Sequence, residues 1–170
     1  MTYEYIKENA EYFKSLLRKT NRDNIEKLIQ FLDENQFFSV IVRPEEGNSI
    51  PGNLITHSLS VYEAARKINL IFNMNLSQTS LIIVCLLHDL CFVDINNKLP
   101  VGHSEKSIFI AQRYIHLTDE EIIAINSHMG SADLRMSDYN GFGCAWDLCP
   151  LALCLYLADT LSACYLEHSV

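Results

Sequence analysis

His88-Asp89 follows an uninterrupted apolar run, Leu81 to Leu87, so two ionisable side chains arrive in or beside a core. Such groups are costly there unless they are paired or bound to a metal. Asp159 raises the same question, because Leu151 to Leu161 is apolar apart from that acid and Thr160, and aspartate is a poor helix former. Both carboxylates require a cation nearby. The second half of the chain offers only Lys98, Lys106, Arg113 and Arg135, which makes a metal ion a serious candidate. Three further histidines stand at helix-boundary signals, and each has an ordinary role open to it. His57 can face solvent in the first turn of its helix, and His103 precedes a capping residue, Ser104. His128 can complement a helix C-terminus as a cation. Asp159 can equally be a buried acid held by hydroxyls or an arginine. His116 and His168 read as surface residues.

Helices must position these groups. Tyr3 to Lys19 and a second segment containing Ile25, Leu28, Ile29 and Leu32 keep helical spacing, with Asn21 as a candidate cap, so residues 1–35 read as a helical hairpin. Phe37 to Val42 reads as extended. Arg43 to Gly52 holds two prolines and two glycines and must be a loop. A helix follows from Asn53 to Ile71, and another, capped by Ser77, contains the run that ends at His88-Asp89. Its body is apolar on every side, which marks an element buried in the middle of the fold. Ser104 to Ile115 is a further helix. Thr118 and Glu121 form a capping box for the next, which stops near Gly130. Ser131 to Cys149 reads as an irregular excursion, and Pro150 opens a last helix running to about Glu167. The expected fold is all-α, a compact bundle with an N-terminal helical hairpin, with residues 1–170 as one domain.

Composition narrows the function. The chain has 170 residues, 49% of them apolar, and its longest apolar run is too short to span a bilayer. No membrane partner and no leader are expected, and the location reads as cytoplasmic. Residues 86–170 carry 11 acidic and 4 basic side chains, a net charge of −7 out of −8 for the whole chain, so nucleic acid is not expected as a partner. The six cysteines include no C-x-x-C pair and mostly stand among apolar residues, so they read as core material.

The order His57, His88-Asp89, Asp159 resembles the HD-domain superfamily of metal-dependent phosphohydrolases, an all-helical fold with the pattern H…HD…D. The resemblance covers about residues 50 to 167. It implies that His57, His88, Asp89 and Asp159 bind one divalent ion. Two more histidines mark the family's binuclear subgroup, to which cyclic-nucleotide phosphodiesterases and HD-GYP proteins belong, and His103 and His128 stand where those would be. The stretches Leu86 to Cys91, Gly102 to Ser107, Leu117 to Glu121, Ser127 to Gly130 and Leu157 to Asp159 are similar to small single-domain bacterial HD proteins, often phage-associated and described as predicted hydrolases.

Four imidazoles and two carboxylates would suit one or two ions of iron, manganese, cobalt, nickel or zinc rather than calcium. The resemblance makes Asp89 the bridge between the ions and implies attack on phosphorus by a metal-bound hydroxide. The expected substrate is a small phosphorylated metabolite such as a nucleotide, cleaved as a phosphomonoester or phosphodiester. Lys106, one turn after His103, and Arg43 in the glycine- and proline-rich loop are candidates for contacting its phosphate. Two departures from the family pattern stand out. Phe92 occupies a position where many HD proteins have a polar residue, and Asn53 stands where cyclic-nucleotide phosphodiesterases carry a leaving-group acid. Two other readings remain: an HD-fold di-iron oxygenase, against which Phe92 counts because those enzymes have lysine there, and a non-catalytic metal-stabilised regulatory module. Oligomeric state is open.

Overall fold

The computed structural model describes residues 3–40, 53–93, 101–130 and 145–166. Arg43 and its loop, Lys98, Cys144 and His168 lie outside the described residues, as does most of the excursion after Gly130. Among the described residues every regular element is helical: α1 (Tyr3–Lys19), α2 (Ile25–Glu34), α3 (Asn53–Ile71), α4 (Gln78–Leu87), α5 (His103–Gln112), α6 (Asp119–Ser127) and α7 (Pro150–Leu161). Short 3-10 turns cover Phe37–Ser39 and Leu90–Val93, and a π-turn, Ser162–Leu166, extends α7. The all-α expectation is met.

α4 is the central element. All seven residues from Leu81 to Leu87 are buried, and α1, α3, α6 and α7 pack around them. A helix apolar on all sides has no stable position except one walled by other helices. Ser77 caps it, its side chain accepting from the Ser80 amide. Around this centre, α3 packs on α4 and α7, while α6 packs on α7 and α5.

The N-terminal hairpin completes the same core. Phe13, Leu16 and Leu17 of α1 and Leu28, Ile29 and Leu32 of α2 are buried in one cluster with α3 and α4. Phe13 meets Phe37 and Phe38 at ring-centroid distances of 5.2 and 5.6 Å. Phe37–Ser39 is thus a helical turn where an extended segment was expected, because the turn directs both aromatic rings inward. Asn21 does not cap α2. It takes a left-handed conformation (φ 51°), as does Asn24 (φ 60°), the residue that precedes the helix without a side-chain cap. Two asparagines, which tolerate that region, let the chain reverse within five residues.

Two helix starts bear on the site. α5 begins at His103, one residue before the expected start. The Glu105 carboxylate accepts from the Gly102 amide at 2.9 Å, so the end is satisfied from inside the helix, and Ser104 is fully buried instead of capping. α6 has the expected box, Thr118 accepting from the Glu121 amide and Glu121 from the Thr118 amide. Residues 145–148 form a helical turn within what read as an irregular excursion.

Candidate metal centre

Five elements deliver six side chains to one place. His57 projects from α3 and Asp159 from α7, while His88 and His128 are the first residues beyond α4 and α6. Asp89 lies between α4 and the Leu90–Val93 turn, and His103 opens α5. The ligand atoms of His57, His88 and Asp89 lie within 4.8 Å of one another, as do those of His88, His128 and Asp159, and those of Asp89, His103 and His128. All six residues singled out from the sequence as metal ligands converge.

Helix ends explain the orientation of two rings. The last carbonyls of a helix lack intrahelical partners. His88 Nδ1 lies 3.0 Å from the Cys85 carbonyl, and His128 Nδ1 lies 2.6 Å from that of Ile125. Each ring donates Nδ1–H to its own helix and turns Nε2 toward the cluster, the tautomer a metal ligand needs. Both Nε2 atoms are buried without a hydrogen-bond partner. A buried polar atom left so is uncommon and costly, and two aimed at one carboxylate cluster fit a cation. Burial also lowers the pKa of His88, so the neutral form that offers a lone pair is favoured.

Asp89 divides its two carboxylate oxygens among the four histidines. Its Oδ1 lies 2.6 Å from His103 Nε2 and 3.6 Å from His128 Nε2. Its Oδ2 lies 3.5 Å from His88 Nε2 and 3.9 Å from His57 Nε2. Asp159 Oδ1 adds a second carboxylate on the latter side, 3.1 Å from His57 Nε2 and 3.8 Å from His88 Nε2. One oxygen thus faces each pair of histidines. Burial opposes the charge on Asp89, but the neighbouring His88 and the hydrogen bond from His103 outweigh it and hold the carboxyl well below its ordinary value. Asp159 is lowered too, its own burial being overcome by His57 and His88. On His103, burial works against the charge, yet the bonds to Asp89 and Cys91 raise its pKa to about 10. A protonated His103 therefore supplies positive charge to the metal-free cluster.

The residues fit divalent transition metals: imidazole nitrogens and carboxylate oxygens, with no thiol in any of the three ligand groups. His57, His88, Asp89 and Asp159 would hold one ion, and Asp89, His103 and His128 a second. Lys106 is half-buried one turn along α5 from His103, on the helix that supplies that ligand. Phe92 is half-buried with its ring edge-on to His103, at a centroid distance of 5.1 Å, so an apolar group stands where a polar helper is usual in the family.

Sequence reasoning missed two neighbours of the cluster. Ser104 Oγ lies 3.4 Å from His128 Nδ1, and Cys91 Sγ lies 3.2 Å from His103 Nδ1. The signal for Ser104 was its place one residue after His103 on a helix; a small polar residue there is as common at the surface. Cys91 had no signal beyond its closeness to His88-Asp89.

An all-helical bundle holding a H…HD…D constellation defines a class, and comparison with known families agrees. The HD-domain profile matches residues 54–164, so the chain belongs to the HD-domain family. No curated protein and no solved structure shows significant similarity to the chain. The match begins at the helix carrying His57 and ends beyond Asp159, so it contains every element of the centre.

Proposed function

We propose that the chain is a metal-dependent phosphohydrolase acting on a small phosphorylated metabolite such as a nucleotide. The observation that carries this reading is the split of Asp89: one carboxylate oxygen faces His103 and His128, the other His57 and His88, beside buried Nε2 atoms that lack partners. Bound divalent ions would supply Lewis-acid stabilisation of phosphoryl oxygens and lower the pKa of a water. His57, His88, Asp89 and Asp159 would hold one ion, and Asp89, His103 and His128 would hold a second. Asp89 and Asp159 balance the charge, and the two ring-to-carbonyl hydrogen bonds keep His88 and His128 in the binding tautomer.

Lys106, on α5, is the residue assigned to contact a substrate phosphate, with Arg43 as a second candidate from the sequence. Phe92 leaves the pocket beside His103 without a side-chain proton donor at that position, so the leaving group takes its proton from water or another residue. A cytoplasmic location accords with the five described cysteines all being free and with no described helix being long and apolar enough to cross a membrane. The acidic second half accords with a small anionic substrate met through metal ions rather than with nucleic acid.

Protein freed of metal and reloaded with iron, manganese, cobalt, nickel or zinc is assayed against phosphomonoesters and phosphodiesters. Turnover with at least one ion, lost in His88→Ala and Asp89→Ala, is expected. No turnover above those variants on the whole panel would overturn the reading. Oxygen consumption by an iron-loaded form would point instead to the oxygenase, and metal-dependent stability without any reaction to a regulatory module.

A further inference from the structure

The six candidate ligands differ in how far they meet solvent. The side chains of His88 and His128 are 0% and 1% exposed and form the floor of the cluster, whereas that of His103 is 29% exposed, the most of the six. The centre is thus most open at His103, and what stands beside that ring meets an incoming molecule. Phe92 stands there, half-buried, its ring centre 5.1 Å from that of His103 at an interplanar angle of 72°.

Local structure fixes this placement. The Phe92 amide donates to the Asp89 carbonyl at 3.2 Å, which opens the Leu90–Val93 3-10 turn directly after the His88-Asp89 pair. Side chains three residues apart eclipse in a 3-10 helix, so Phe92 projects on the same side as Asp89, the carboxylate at the middle of the cluster. Leu90 and Cys91 between them are buried. The Cys91 amide donates to Ser107 Oγ at 3.0 Å, which ties the turn to α5 one helical turn after His103.

An aromatic ring at that place constrains what can bind. A ring face offers no hydrogen-bond partner, so the hydroxyls of a bare sugar phosphate brought against it lose water without compensation. A planar base avoids that loss and gains stacking, which every base supports because every base has a π face. We propose that Phe92 is a specificity-determining residue: its ring is a stacking platform that selects phosphate esters bearing a nucleobase over sugar and other aliphatic phosphates. The proposal rests on the phosphohydrolase reading above and narrows its substrate from a small phosphorylated metabolite to a base-bearing one.

The test compares two matched ligands, the noncleavable phosphonate analogues of adenosine 5′-monophosphate and of ribose 5-phosphate, which differ in the presence of the base. Their affinities for zinc-loaded wild type, Phe92→Ala, Phe92→Leu and Phe92→Tyr are measured by calorimetry, with bound zinc checked in each protein. Wild type should prefer the adenosine ligand. Phe92→Ala and Phe92→Leu should lose about 5- to 150-fold of that preference, the range for removing an aromatic partner from a stacked base. Phe92→Tyr, which keeps the ring, should keep the preference. In turnover of the cleavable pair the same ratio should fall on KM more than on kcat, since stacking away from the reacting bond holds ground state and transition state alike. A wild type that binds both ligands equally would overturn the proposal and leave the phosphohydrolase reading standing. So would zinc-loaded Phe92→Ala or Phe92→Leu with wild-type selectivity. If Phe92→Ala does not hold zinc, Phe92→Leu and Phe92→Tyr decide, and equal selectivity in those two overturns the proposal. A wild type that holds zinc, binds neither phosphonate and cleaves no phosphate ester would overturn the phosphohydrolase reading and the proposal with it.

Discussion

At the scale of single residues the centre is a set of charges that balance differently with and without metal. His103 has its pKa raised from 6.5 to about 10 in the metal-free protein, where it neutralises Asp89. A pKa raised on folding means the folded state holds a proton that the unfolded chain releases. The resulting stabilisation is complete below about pH 6.5 and fades as pH rises toward about 10. Between pH 7 and 8.5, below the range where buried thiols begin to contribute, metal-free protein should therefore lose stability at up to about 1 kcal/mol per pH unit. Denaturant unfolding at a series of pH values in the presence of chelator measures this. Metal-loaded protein should lack the slope, because the ion replaces the proton on Nε2, and His103→Asn should lack it in either state. A slope that survives in His103→Asn would show that another group is responsible. The burial of His88-Asp89 was legible in the sequence, since the apolar run before them forces those side chains into the interior, while His57, His103, His128 and Asp159 were gathered as candidate ligands by the family resemblance. The tautomers of His88 and His128 were not: they depend on which carbonyl a ring nitrogen meets, and spacing alone does not reveal that.

At the scale of elements, the centre depends on where helices stop. α6 must end at His128 so that the ring can turn back onto the Ile125 carbonyl, and Gly130 then takes the chain away in a left-handed conformation, φ +56°. A Cβ at Gly130 would also lie 2.6 Å from Tyr156 Cε2, and the Tyr156 ring is stacked on Trp146 at 4.6 Å. Gly130→Ala combines backbone strain with displacement of a packed ring, and should destabilise the protein by about 2 to 4 kcal/mol. Thermal and denaturant unfolding check the magnitude. Tyr156→Ala in the same background should recover part of the loss, because the ring's displacement is relieved while the strain remains. A loss under about 0.5 kcal/mol would mean that α7 shifts freely and does not fix the end of α6. The sequence marked Gly130 as a helix stop correctly, since a glycine after a periodic segment has a local cause. It could not mark the closeness of Tyr156, 26 residues further on. The start of α5 misled for a related reason. Ser104 has the residue type of a cap, but Glu105 satisfies the Gly102 amide, and the serine is drawn inward toward His128.

At the scale of the whole molecule, the N-terminal hairpin and the helices that carry the candidate ligands share one core, and an ion pair with a buried carboxylate joins them. Arg22, in the turn between α1 and α2, bonds the Glu121 carboxylate and the His116 carbonyl, the latter at 2.7 Å. Glu121 is wholly buried and also closes the capping box of α6, the helix that ends in His128. Neither residue announces the other, since 99 positions separate them. Arg22→Ala leaves the Glu121 charge buried without its partner, which should cost about 3 kcal/mol. Because α1 and α2 bury their apolar faces against α3 and α4, that cost should fall on the entire fold and not on the hairpin alone. The probes to compare are far-ultraviolet circular dichroism, which reports all the helices, and the fluorescence of Trp146, the only tryptophan, which stacks on α7 far along the chain from Arg22. In chelator, both transitions of Arg22→Ala should move to lower denaturant together and remain superimposable, as for one cooperative unit. An early loss of helical signal with the Trp146 transition unmoved would instead separate the hairpin from the metal-bearing helices. The pair would then be a clasp between two independently folding parts.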